Sequence, residues 1–238
     1  MKLLVDIGNS RTKFLFVIDN KLTEIEHIAN DDVNEKWLQN TFLKVNSITL
    51  ASVNQNKLTE IFSTFSIKQN IPFIQVKSES ERFGVISCYQ EPTTLGVDRW
   101  LTLLATASLY RNKNVLIIDA GTATTADLLD NNANHVGGWI LPGIDTLFTS
   151  LLANTTQVSA TQTPVSAMTF GKNTSECVNT ACWAATVGFI EQAVIQTKKL
   201  MVLDQILLTG GNAEGLSKLL VEDHKVIDKL VFFGIQRF

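Results

Sequence analysis

Leu3-Leu4-Val5-Asp6-Ile7-Gly8-Asn9-Ser10, near the N-terminus, and Ile117-Ile118-Asp119-Ala120-Gly121-Thr122, mid-chain, are two copies of one device. Each is an apolar run that ends in Asp-x-Gly and polar turn residues, and the two aspartates stand 113 residues apart. An apolar run bounded in this way predicts a buried strand ending in a tight turn. After each turn the chain returns as a second strand, Lys13 to Ile18 in the first copy and Thr125 to Leu129 in the second. Repetition at this spacing predicts two related lobes. The boundary falls near residues 111 to 114, which gives domains of residues 1–112 and 113–238.

Outward from the hairpins the pattern stays α/β. Ser47 to Val53 and Pro72 to Val76 predict strands, with a helix from Lys57 to about Ser66 between them. Pro92 opens a segment with apolar residues at Leu95, Trp100, Leu103, Leu104 and Ala107, a helical spacing that runs to about Asn112. In the second lobe, His135 to Ile140 predicts a strand, Pro142 precedes a helix, and a long helix runs from about Ser175 to Lys199 with Thr174 as its cap. The strand Gln205 to Leu208 then leads into Thr209-Gly210-Gly211-Asn212-Ala213.

These turns carry the chemistry. A carboxylate at a strand end, followed by Gly and small polar residues, offers one cation ligand and several backbone N–H groups to a phosphate. Gly8 permits close approach, Asn9 and Ser10 supply an amide and a hydroxyl, and Lys13 can reach a phosphate as a point charge. Either turn alone is equally an ordinary hairpin with a solvated aspartate. The pair is what a nucleotide held between two lobes requires, with Asp6 and Asp119 facing one another. Leu95-Gly96-Val97-Asp98-Arg99 places an acid beside a base just inside a predicted helix, where Asp98 can take a hydroxyl proton and Arg99 can grip a carboxylate. Gly210 and Gly211 can lie against an adenine or a phosphate, or form a simple strand-to-helix turn.

Composition removes other classes. Of 238 residues 45 % are hydrophobic and 18 % charged, enough for a sizeable core in a soluble globular chain. With 20 Lys+Arg against 23 Asp+Glu the net charge is −3, so neither direct nucleic-acid binding nor membrane association is expected. Asp6 interrupts the N-terminus before a signal-peptide core forms, which points to the cytoplasm. Cys88, Cys177 and Cys182 make no disulfide framework, and His27, His135 and His224 lack zinc-ligand spacing. No GxxxxGK[ST] P-loop is present. Trp183, beside Ala184, Ala185 and Val187, suits either a subunit contact or burial within one chain.

Taken in order, Asp6-Ile7-Gly8-Asn9-Ser10-Arg11-Thr12-Lys13, Leu95-Gly96-Val97-Asp98-Arg99, Asp119 to Asp127, Gly137-Gly138-Trp139-Ile140-Leu141-Pro142-Gly143 and Thr209 to Ala213 resemble the type III pantothenate kinases, within the superfamily of sugar and acetate kinases, heat-shock ATPases and actin. The resemblance implies two ribonuclease-H-like lobes with mixed sheets and an interlobe cleft, a homodimer, and ATP-dependent phosphorylation of pantothenate, the first step toward coenzyme A. It would place Asp6, Gly8, Asn9, Ser10 and Lys13 at ATP and Mg²⁺, with Gly121, Thr122, Gly210 and Gly211 also at the nucleotide. Asp98 would be the base, and Tyr89, Gly96, Arg99 and Thr174 would line the pantothenate pocket, Thr174 from the partner subunit's side of the interface. Asp119 would hold K⁺ or NH₄⁺. Ser10 stands where the family's usual element has Thr, which keeps the hydroxyl. Members of the family have also been called transcriptional accessory factors, so a regulatory role is an alternative; another kinase or phosphatase of the same superfamily is a second.

Overall fold

The computed structural model describes residues 1–42, 44–53 and 57–238. The elements, in chain order, are β1 (Lys2–Ile7), β2 (Arg11–Ile18), β3 (Lys21–Leu22), β4 (Glu26–Ala29), α1 (Glu35–Thr41), β5 (Ser47–Ser52), α2 (Lys57–Gln69), β6 (Phe73–Gln75), β7 (Glu81–Arg82), β8 (Val85–Ile86) and α3 (Val97–Leu109). They continue as β9 (Val115–Ala120), β10 (Ala123–Leu129), β11 (His135–Pro142), α4 (Ile144–Ala153), α5 (Thr174–Leu200), β12 (Gln205–Thr209), α6 (Ala213–Ser217), β13 (Lys225–Val226) and α7 (Leu230–Ile235).

Two compact units result. The first holds residues 1–83, 89–105 and 229–238, the second 84–88 and 106–228. This differs from a single cut after residue 112, because the C-terminal segment returns to the first unit. There Phe232 and Ile235 of α7 pack with Leu4, Leu15, Val97 and Leu101. Gly234 permits the approach, since a Cβ there would lie 2.2 Å from the Leu101 carbonyl oxygen.

The first unit is built on a sheet of order β3-β2-β1-β5-β6, with β4 also paired to β2. β1 runs antiparallel to β2 and parallel to β5. Strand side chains alternate between faces. Leu3, Val5 and Ile7 therefore join the core beneath α1 and α2, whereas Leu4 joins α3 and α7. The second unit repeats the plan with order β11-β10-β9-β12-β13, and Leu116, Ile118 and Ala120 of β9 pack with residues of α4, α5 and α6.

Two local expectations are corrected, and one of two readings of Trp183 is observed. Pro92 opens only a 3-10 turn over Pro92–Thr94; the chain is extended at Leu95, and α3 begins at Val97. The Ser78 hydroxyl, which donates to the Leu95 carbonyl at 2.8 Å, secures that break. Asn173, not Thr174, caps α5, because its extended backbone lets the side chain accept from the Glu176 N–H at 3.0 Å while Thr174 is already helical. Trp183 packs within its own chain: a Cβ on Gly215 would lie 2.3 Å from its ring. No helix among the described residues is long and apolar enough to cross a membrane.

Candidate active site

β1 carries Asp6 to the rim of the first sheet, opposite Lys13 of β2 and Ala51 of β5. Alternation turns it to the Leu4 face, toward α3. Burial pushes the Asp6 carboxyl up to about 6; Lys13 works against the rise and Asp98 adds to it. A desolvated carboxylate of this kind gains from a bound cation.

The turn beyond Asp6 is held by a residue that sequence reading missed. Asn30 donates from Nδ2 to the carbonyl oxygens of Gly8 at 2.9 Å and Asn9 at 3.1 Å. Its Oδ1 accepts from the buried Thr12 hydroxyl at 2.9 Å, and its N–H donates to the Ser10 carbonyl at 3.2 Å. In a trans peptide C=O and N–H point in opposite directions. Tying back the Gly8 and Asn9 carbonyls therefore aims the N–H groups of Asn9 and Ser10 away from Asn30, as anion binding requires. No short-range pattern marks Asn30, whose partners lie about twenty positions upstream.

The head of α3 brings together the expected acid, base and aromatic residue. Asp98 sits in the first turn, where the helix dipole favours a carboxylate, and its Oδ1 accepts from the Arg99 N–H at 2.8 Å. Gly96 leaves room for that carboxylate: a Cβ at residue 96 would lie 2.6 Å from Asp98 Oδ1. Arg99 is only 5 % exposed, and its Nη1 donates to the Tyr89 hydroxyl at 2.8 Å, with the guanidinium 5.6 Å from the Tyr89 ring centre. A cavity of about 560 Å³ opens beside Gly96, lined by Ser52, Thr59, Lys77, Ser78 and Thr94 among others.

In the second unit, Asp119 is the next-to-last residue of β9, and two close backbone approaches shape the turn that follows. Gly210, at φ +91°, passes so near that a Cβ would lie 2.5 Å from Asp119 Oδ1 and 2.7 Å from the Ala120 carbonyl. Gly143 crosses on another side, its N–H donating to the Thr122 carbonyl at 2.9 Å, and a Cβ there would collide with Gly121. The glycines of residues 143 and 210 thus enclose the Asp119-to-Thr122 turn, and Gly211 follows in the open. Thr174 is exposed on the first turn of α5. Among the described residues no three His, Cys, Asp or Glu side chains group to hold a metal ion, so a cation at Asp6 or Asp119 would complete its shell from phosphate, backbone or water.

The first unit thus carries a turn whose N–H groups face outward and a helix head with a carboxylate beside a buried guanidinium, and the second unit carries a glycine-walled turn after Asp119. Comparison with known proteins identifies the family. The profile of the type III pantothenate kinase family matches residues 2–196. A type III pantothenate kinase of Colwellia psychrerythraea is 45 % identical over 248 aligned positions, covering 100 % of both chains. One of Pseudoalteromonas atlantica is 30 % identical, covering 99 % of this chain and 96 % of its own. Among solved structures, a Campylobacter jejuni protein described as a Baf family transcriptional activator superposes with a TM-score of 0.64 at 23 % identity, covering 99 % and 96 %. A ROK family glucokinase of Streptomyces griseus, bound to glucose and AMPPNP, gives 0.53 at 9 % identity, covering 98 % and 97 %. At these identities the structures establish the shared actin-like, sugar-kinase fold.

Proposed function

The chain belongs to the type III pantothenate kinase family, and on that premise we propose how its residues divide the transfer of the ATP γ-phosphoryl group to pantothenate. The reaction yields phosphopantothenate, the entry to coenzyme A.

Asp98 takes the proton of the pantothenate hydroxyl and orients that oxygen toward the phosphorus. Arg99, steadied by Tyr89, binds the substrate carboxylate, Gly96 lines the pocket, and Thr174 completes it from the partner subunit's side of the interface. The observation that carries this reading is the head of α3, where a carboxylate and a buried guanidinium leave adjacent positions with different partners. The cavity beside Gly96 is of a size that admits a small organic acid.

Asp6, Gly8, Asn9, Ser10 and Lys13 receive the phosphates, and Gly121, Thr122, Gly210 and Gly211 serve the nucleotide from the second unit. The desolvated Asp6 carboxylate fits Mg²⁺, which when bound neutralises charge developing on the phosphoryl oxygens. Asp119, an oxygen donor beside crowded backbone carbonyls, fits a monovalent cation, K⁺ or NH₄⁺. The protein works as a homodimer in the cytoplasm. The exposed Val136, Trp139 and Ile140 all lie on β11, an edge strand, and support the dimer because an open edge with large apolar side chains is one that monomers rarely leave uncovered.

Transfer of label from γ-labelled ATP to pantothenate, with Mg²⁺ and either K⁺ or Na⁺, tests the assignment. Label in phosphopantothenate with K⁺ and little with Na⁺ is expected. Equal rates in both salts would remove the cation from Asp119, and no transfer by folded, ATP-binding protein would sink the assignment of the substrate.

The grip of Asn30 on the first turn gives a separate expectation. Asn30→Ala should raise the KM for ATP roughly tenfold, since misplacing an anion-binding turn by a fraction of an ångström is costly. The KM for pantothenate should not move. Steady-state kinetics with each substrate varied decides it, and an unchanged KM for ATP would show that the turn holds its shape unaided.

A further inference from the structure

Next to Tyr89 in the chain, but within the second unit, a thiol, an imidazole and a buried carboxylate lie within reach of one another. Asp127 of β10 and His135 of β11 are 1 % and 2 % exposed, and the His135 Nε2 lies 2.9 Å from Asp127 Oδ1. The other ring nitrogen, Nδ1, lies 3.4 Å from the Cys88 sulfur. Cys88 itself is exposed.

The backbone explains the meeting. Asp127 and Leu129 share a face of β10, and His135 lies opposite Leu129 in the antiparallel register. Just before Cys88, β8 is pinned beside the start of β11 by a parallel bridge between Ile86 and Asn134 and by the Ile86 N–H donating to the Ala133 carbonyl at 3.1 Å. The segment that follows runs alongside His135.

We propose that Cys88, His135 and Asp127 form a reactive-thiol site that exchanges with low-molecular-weight disulfides. A carboxylate accepting from Nε2–H fixes the tautomer whose Nδ1 lone pair faces the thiol. His135 Nδ1 takes the Cys88 proton and the sulfur attacks one sulfur of the disulfide. The new S–S bond forms as the old one breaks, and the leaving thiolate carries off its electron pair and recovers the proton from His135. The disulfide is reduced to one free thiol as Cys88 is oxidised to the mixed disulfide, so no other oxidant is needed. Cys177 supplies an internal reference: it too is exposed, but its sulfur faces the Gly171 carbonyl oxygen at 3.4 Å.

Hydroxyethyl disulfide, which is small and uncharged, is the probe, with adducts counted by peptide mass spectrometry at pH 7. An unassisted thiol is only a few per cent thiolate there, which leaves room for assistance of about tenfold or more. Cys88 should react about tenfold faster than Cys177 in folded protein, and the ratio should collapse in urea. His135→Gln should bring the Cys88 rate close to that of Cys177 and leave Cys177 unchanged. A folded-state ratio no greater than the ratio in urea would overturn the proposal without any variant. An unaltered Cys88 rate in folded His135→Gln protein would overturn the role of the imidazole.

Discussion

Replacing Asp98 with asparagine is expected to lower kcat by roughly 10²-fold or more, with the pantothenate KM held within about threefold. The amide oxygen can still accept from the Arg99 N–H, now 2.8 Å from Asp98 Oδ1, so the side chain keeps its place and loses only charge and basicity. The loss is smaller than for a base attacking an unactivated carbon, because a loose phosphoryl transition state asks mainly for positioning and charge stabilisation. Gly96→Ala makes the companion test. Its Cβ would lie 2.6 Å from the Asp98 carboxylate, whose side chain can swing aside at little cost in stability. Turnover should fall in the same direction as for Asp98→Asn and by less, with the melting temperature barely moved. Single-turnover kinetics with both variants checks the pair, and near-full kcat in a folded Asp98→Asn protein would remove the base from the mechanism.

The same residues show what a sequence can and cannot disclose. β1, β2, β9 and β10 were legible because an apolar run stopped by Asp-x-Gly is a local signal, and strand, turn and returning strand are all encoded within about twenty positions. Capping was harder: Asn173 and Thr174 both have capping side chains, and only the backbone angles decide which one remains outside the helix. The helix expected from Pro92 failed because periodicity overlooks a break made by a distant partner, here the Ser78 hydroxyl on the Leu95 carbonyl. Long-range pairings were invisible. Nothing near Gly234 announces that it will lie against Leu101 and so bring the chain end beneath the helix that carries Asp98 and Arg99. Asn30 is the site's counterpart of that failure, an unremarkable loop residue whose three side-chain hydrogen bonds shape a turn far upstream. Residue types legible at the head of α3 became a site only when Tyr89, ten positions away, brought its hydroxyl to the Arg99 guanidinium.

Asp6→Asn is expected to abolish most activity and yet stabilise the ligand-free protein. Loss of the carboxylate at the turn proposed to receive the phosphates should cost about 10²- to 10³-fold in kcat, the scale of removing one preorganised electrostatic contact to a reacting group. Stability moves the other way for a reason fixed by sign. The folded carboxyl is raised from 3.8 to about 6, so the native state holds this proton more tightly than the unfolded chain. Deprotonation therefore opposes folding, progressively from about pH 4 to pH 6 and fully above that. Two units correspond to roughly 3 kcal/mol, a net figure that already includes the Lys13 attraction, and asparagine recovers part of it, about 1–2 kcal/mol, because its amide is uncharged but still a polar group to be buried. In a chain of this length that is a rise of roughly 2–8 °C in melting temperature at pH 7.5, shrinking to nothing near pH 4. Mg²⁺ and nucleotide should reverse the ranking, since only the wild-type protein then gains the binding free energy of a ligand that prefers the folded state. Calorimetric scans at the two pH values, with and without Mg·ADP, follow all of this in one variant. A wild-type protein more stable than Asp6→Asn at pH 7.5 without ligand would mean that Lys13 already compensates the buried charge, and that the carboxylate is not held in reserve for a metal.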